Sequence, residues 1–111
     1  NKIKASIILE LANWPVTPKA DDILVKKEVT VIPDILANAG WVMVSYYEQV
    51  QNDANFYWEA EEIDDRLCKK IKKSTEDVYN TSTKYWSCLR SWAFIIAMER
   101  IFNAMRDRWE V

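Results

Sequence analysis

The side chains that most often do chemistry are sparse in this chain and poorly placed for it. Cys68 and Cys88 lie far apart, and the sequence contains no histidine. Neither a zinc-ligand spacing nor a cysteine–histidine nucleophile pair can be built from that set. Two isolated cysteines on helices read as small buried or half-buried residues, and nothing in the spacing supports a disulfide between them. No paired-carboxylate constellation stands out as an acid–base couple. The acidic run Glu59, Glu61, Glu62, Asp64 and Asp65 is followed by Lys69, Lys70, Lys72 and Lys73. That order fits one helix complementing its own dipole, with i,i+4 pairs such as Asp65 to Lys69. Without a basic face or a binding motif it does not read as a nucleic-acid interface. Two quieter features remain. Asn13 sits in a loop directly after an apolar run, and Ser45 lies inside a helical stretch. Taken alone, Asn13 reads as the cap of a turn and Ser45 as a small structural residue.

The elements that must position these residues are legible from periodicity. Ala5 to Leu11 is a short apolar run, as in a buried strand of a parallel sheet. Asn13-Trp14-Pro15 marks a loop, and Thr17-Pro18 resembles an N-cap with proline at the first helical position. A helix from Pro18 to about Lys27 would turn Ala20, Ile23 and Leu24 inward. Val29 to Ile32 reads as a second buried strand, stopped by Pro33. Strand, helix, strand is a βαβ unit.

From Ile35 onward the pattern is helical. Asp34 is placed to cap a helix over Ile35 to Gln51 that is apolar nearly all round. After a polar break at 52–55, a second helix runs from Glu59 to about Thr83, with Ile63, Leu67, Ile71, Val78 and Ser82 on one stripe. A third runs from Leu89 to about Arg106, with Leu89, Trp92, Ala93, Ile96, Ala97, Ile101, Ala104 and Met105 inward. The fold class expected is therefore α/β and predominantly helical: one βαβ unit followed by three helices. Two parallel strands leave open edges and a wide apolar face, so the sheet calls for more strands than this chain owns.

Composition narrows the class further. The chain has 111 residues, half of them apolar, and a net charge of -2, which fits a globular protein with one modest core. Nothing resembles a signal peptide, and no apolar run approaches the ~20 residues that span a bilayer. A cytoplasmic protein with no membrane or nucleic-acid partner is the expectation. One glycine and three prolines stand beside six tryptophans. Turns that need positive φ normally use glycine, so here they must use asparagine, carry strain or be absent.

Several blocks in the right order then resemble the C-terminal portion of the glutamate dehydrogenases. PDILANAGWVMVS, from Pro33 to Ser45, matches the family's P-D-I-L-A-N-A-G-G-V-T-V-S. ASIILELANWPVTPKAD stands where members have stretches like A-K-I-I-V-E-G-A-N-G-P-T-T-P-E-A-D. VSYYEQVQN matches V-S-Y-F-E-W-V-Q-N, and FYWEAEEIDDRL, DVYNT and AMERIFNAMRDR follow the family's last helices. The likeness is greatest to the enzymes of thermophilic archaea and bacteria.

The resemblance implies that residues 1–52 are the end of a Rossmann-like dinucleotide-binding domain with a pocket-lining helix, and 53–111 a C-terminal helical segment. It implies NAD or NADP as cofactor, with Asn13 and Asn38 near the nicotinamide. It further implies Val42 and Ser45 around the glutamate side chain, the Ser45 hydroxyl donating to the γ-carboxylate. The activity implied is oxidative deamination of L-glutamate to 2-oxoglutarate and ammonia by a homo-oligomer, a hexamer in the family. The family's catalytic lysines and aspartate and its glycine-rich turn have no counterpart here, so this chain would supply one wall of the site and would not be catalytic alone.

The departures are patterned. Family glycines are replaced by Leu11, Trp14, Glu28 and Trp41, and Trp109-Glu110 disturbs a usual Arg-Gly-Trp. A tryptophan at such a site costs strain and fills ligand space. The alternative is a stand-alone helical protein with a structural or protein-interaction role.

Overall fold

A computed structural model describes residues 2–85 and 88–109. The expected βαβ unit is present: β1 (Ile7–Leu9), α1 (Pro18–Lys26) and β2 (Thr30–Ile32). The strands are parallel, with Ile7 opposite Thr30, Ile8 opposite Val31 and Leu9 opposite Ile32. The ladder runs slightly past these limits through Thr30 N–H to Ser6 O and Glu10 N–H to Ile32 O. α1 begins as its sequence predicts, with Thr17 Oγ1 accepting from the Ala20 N–H and Pro18 in the first turn.

The strands are not buried, which corrects the first expectation. Ile7 is 61% and Leu9 54% exposed. The sheet has two strands among the described residues, so no described strand pairs with the outer edge of β1. On α1 Leu24 is buried and Ala20 half-buried, whereas Ile23 stays exposed.

Helices follow in the order α2 (Asp34–Ala37), α3 (Gly40–Ala54), α4 (Ala60–Tyr85) and α5 (Leu89–Asp107). The single helix expected over Ile35–Gln51 is broken at Asn38 and Ala39. Asp34 is the first helical residue and Pro33 the N-cap, so Asp34 is not the cap its type suggested. Its carboxylate accepts instead from the Trp14 N–H, outside the helix, and from the N–H of the next residue, Ile35. α4 carries the predicted stripe: Val78 and Ser82 are buried, and Ile63, Leu67 and Ile71 half-buried. Asp65 and Lys69 pair along its surface as expected.

The core lies where α2, α4 and α5 meet. Leu36, Val78 and Ala93 are buried there, with Ile32, Ile35, Leu89, Trp92 and Ile96 packed around them. Only the first half of α5 joins it. Ile101 is 61% exposed and Ala104 is also exposed, against expectation, because no described element packs over that end. Both cysteines are free and exposed, not buried: Cys68 is on the outer side of α4 and Cys88 precedes α5. The radius of gyration is 16.7 Å, against about 13 Å for a self-contained domain of this length. The chain is open, with more apolar surface than its own elements can cover.

Among the described residues, three helices end in a left-handed residue. After α1, Glu28 (φ 57°) donates to Val25 O while Val29 N–H reaches Leu24 O, the paired bonds of a Schellman motif. After α3, Asn55 (φ 49°) and Phe56 repeat the pattern on Asn52 O and Gln51 O. After α5, Trp109 (φ 61°) donates to Arg106 O. Trp14 (φ 52°) is the fourth such residue. Of the positions where the resemblance leads one to expect glycine, Trp14, Glu28 and Trp109 are left-handed and so strained, whereas Leu11 and Trp41 have no positive φ. Glu110 lies outside the described residues.

Candidate functional site

The loop after β1 and the turn between α2 and α3 meet at the carboxyl end of the sheet. Their contact is a side-chain bond between two carboxamides: Asn38 Nδ2 donates to Asn13 Oδ1 at 2.6 Å. A cavity of about 450 Å³ opens here, lined by Leu11, Ala12, Asn13, Asn38, Trp41 and Val42. A second, more apolar cavity of about 300 Å³ lies alongside, and Leu11, Asn38 and Trp41 are common to both. Three of the four residues singled out in the sequence, Asn13, Asn38 and Val42, are therefore brought together. Ser45 is not in the lining. It sits one turn further along α3, three positions from Val42 and so on the same side of the helix, with an exposed side chain.

Local structure explains why the loop adopts this shape. Asp34, 7% exposed, spends its carboxylate on two backbone amides: Oδ2 accepts from Trp14 N–H and Oδ1 from Ile35 N–H, both at 2.8 Å. Its own N–H donates to Glu10 Oε2 at 2.9 Å. The left-handed Trp14 is thereby tied to the start of α2, and Asn13, its neighbour, is carried to Asn38 at the other end of that helix. The indole of Trp14 points to solvent, 78% exposed, and does not line the cavity. Trp41, 83% exposed, does line it. Of the two tryptophans, only Trp41 lines the cavity; Trp14 contributes strain.

Glu10, Asp34 and their partner Arg90 were not legible as site residues. The one available signal was a glutamate ending an apolar strand, since a charge there must find a partner if it is buried. The partner itself lies 80 positions away and leaves no local trace.

The carboxamide pair satisfies one donor and one acceptor, leaving Asn13 Nδ2 and Asn38 Oδ1 unengaged among the described residues. An exposed donor beside an exposed acceptor can pair with a planar carboxamide. The 450 Å³ cavity at the pair is lined about equally by polar and apolar surface, and its 300 Å³ neighbour is mainly apolar. No group of three or more His, Cys, Asp or Glu among the described residues could hold a metal ion. No described helix is long and apolar enough to cross a membrane.

A parallel βαβ unit with a cavity at its carboxyl end is an α/β arrangement, and in open α/β sheets ligands settle beside the ends of the strands. Comparison with known proteins makes the class definite. The model of the Glutamate/Leucine/Phenylalanine/Valine dehydrogenase family matches residues 1–108, and the chain belongs to that family. It is 45% identical over 105 residues to the NADP-specific glutamate dehydrogenase of Synechocystis sp., covering 95% of this chain and 24% of that protein. It is 42% identical over 107 residues to the glutamate dehydrogenase of Thermotoga maritima, covering 96% of this chain and 26% of the relative. The crystal structure of the Peptoniphilus asaccharolyticus glutamate dehydrogenase superposes with a TM-score of 0.87 at 36% identity, over 96% of this chain and 27% of that one. A hetero-hexameric glutamate dehydrogenase from Thermus thermophilus superposes with a TM-score of 0.87 at 31% identity, over 96% of this chain and 26% of its own. The chain thus spans about a quarter of the length of the relatives it matches.

Proposed function

We propose that this chain forms one wall of the nicotinamide and glutamate site of a glutamate dehydrogenase, NAD(P)-dependent and acting on L-glutamate. The observation that carries this reading is the Asn13–Asn38 carboxamide pair at 2.6 Å on the rim of the 450 Å³ cavity. Asn13 and Asn38 would hold the nicotinamide carboxamide, and Val42 with Ser45 would border the glutamate side chain on α3. The bound nicotinamide supplies a hydride acceptor. This chain's part is to orient the ring, through one amide donor and one acceptor, and to exclude water with Leu11 and Val42, while Trp41 crowds the cavity mouth. The groups that move protons lie outside it. Residues 1–52 would complete the dinucleotide-binding domain, and 53–111 would form the helical segment that follows.

Partners follow from the same reading. The exposed apolar face of β1, with Ile7 and Leu9, is the surface against which the remainder of such an enzyme would pack. Homo-oligomerisation, as a hexamer, belongs to the whole enzyme. Whether the coenzyme is NAD or NADP is decided by residues elsewhere; relatives of similar identity include an NADP-specific and an NAD-specific enzyme.

The test is a transplant. Residues 1–108 replace the matching quarter of the Thermotoga maritima enzyme, and coenzyme affinity is measured with and without Trp41→Gly. The chimera is expected to bind nicotinamide coenzyme weakly, and Trp41→Gly to tighten binding at least ~tenfold by clearing the cavity mouth. Binding that is equal in both, and unaffected by Asn38→Ala, would refute the assignment.

A further inference from the structure

The loop that carries Asn13 is secured from the far end of the chain. Arg90, in the first turn of α5, forks onto Glu10, with Nη2 donating to Oε1 at 2.7 Å and Nη1 to Oε2 at 2.9 Å. The same guanidinium reaches Asp21 on α1, Nε to Oδ2, at 3.2 Å. Its Nη1 lies 3.5 Å from Asp34 Oδ1. The Glu10 side chain is fully buried, and those of Asp34, Arg90 and Asp21 are 10%, 20% and 23% exposed. Its hydrogen bonds to Glu10 hold the guanidinium above the ordinary arginine value, with burial opposing and Asp21 adding to the rise.

The connections beyond this cluster lead to one place. Glu10 accepts from the Asp34 N–H, and Asp34 accepts from the N–H of left-handed Trp14. A carboxylate with freedom to rotate would not hold a backbone amide in a conformation its residue disfavours. A bidentate guanidinium removes that freedom, as a lysine ammonium cannot.

We propose that Arg90 is the positioning residue of the carboxamide pair, fixing Glu10 and Asp34 so that the Asn13–Trp14 loop is held against α2 and Asn13 meets Asn38. The proposal rests on the reading of that pair as nicotinamide-facing. Arg90 touches no ligand; it acts through two carboxylates and one backbone amide. Through it, α5 sets the geometry of a loop at the other end of the sequence.

The experiment is amide-resolved NMR of the full chain with Arg90→Met and Arg90→Lys. The reporters are the Trp14 backbone N–H and the Asn13 and Asn38 side-chain amides. Gln51 and the Trp58 N–H, bonded to each other at the distant α3–α4 junction, report the rest of the fold. In Arg90→Met the exchange rate of the Trp14 N–H should rise at least ~tenfold more than that of the Trp58 N–H, and the two side-chain amides should move towards free-amide positions while the Gln51 and Trp58 shifts stay in place. Arg90→Lys should recover part of the effect, and is the variant read if Arg90→Met does not fold. Unmoved Trp14 and Asn38 signals in a folded variant would overturn the proposal. So would loosening spread evenly to Gln51 and Trp58, or unfolding of both variants. No coenzyme enters this readout. A loop that loosens as expected in a protein that never binds nicotinamide would sink the functional reading alone and leave Arg90 as the residue that positions the loop.

Discussion

Replacing Glu28 with glycine should stabilise the protein, although it deletes a side chain and adds backbone freedom. Glu28 is the left-handed residue of the Schellman motif that closes α1, at φ 57°. A Cβ in that conformation costs about 1–2 kcal/mol. Glycine returns about 0.5–1 kcal/mol of this as extra conformational entropy lost on folding. The net gain is about 0.5–1 kcal/mol, which for a domain of this size raises the melting temperature by about 2–4 °C. Glu28→Ala is the control: it removes the carboxylate from a helix C-terminus, where it opposes the dipole, but keeps the Cβ and the strain. Thermal unfolding followed by circular dichroism compares the three proteins. If Glu28→Gly melts no higher than Glu28→Ala, the left-handed conformation carries no strain and the account of the glycine replacements fails. Asn55→Gly should gain far less, because asparagine already tolerates that region.

Other substitutions separate the parts of the structure. Gly40→Ala should be neutral or stabilising by about 0.4–1 kcal/mol in urea unfolding, since its φ is not positive and an added Cβ meets only Leu67 Cδ1 at 3.9 Å. Arg90→Met should cost about 3–5 kcal/mol in the same assay, because the fully buried Glu10 carboxylate loses its charge partner. Leu36→Ala should cost about 2–5 kcal/mol, whereas Ile101→Ala, at a site 61% exposed, should change stability by less than about 0.5 kcal/mol. Equal effects at Leu36 and Ile101 would show that the second half of α5 is covered in solution.

Local pattern was enough for the order of elements, the N-cap at Thr17, the stripe on α4 and the family itself, because each depends on residues a few positions apart. It also brought out Asn13, Asn38 and Val42, through their resemblance to a known segment, though nothing in the residues themselves separated Asn13 from an ordinary turn cap. The break between α2 and α3 was hidden because the apolar pattern runs through it, although Asn38 and Gly40 are weak helix formers. In the structure Asn38 bonds to Asn13 of the loop after β1. The exposure of Ile101 was hidden for another reason, since an apolar stripe announces that a residue wants burial and only the packing shows whether anything arrives to bury it. At Ile7 and Leu9 a sheet of two strands already called for a partner the chain does not own. The strain at Trp14, Glu28 and Trp109 could be suspected from missing glycines, but φ distinguished these three from Leu11 and Trp41. Sequence by itself determined the segments and their kinship, since helix and strand periods are local. Tertiary structure alone decided the Arg90–Glu10–Asp34–Trp14 linkage, because residues up to 80 positions apart become neighbours only when the chain has closed on itself.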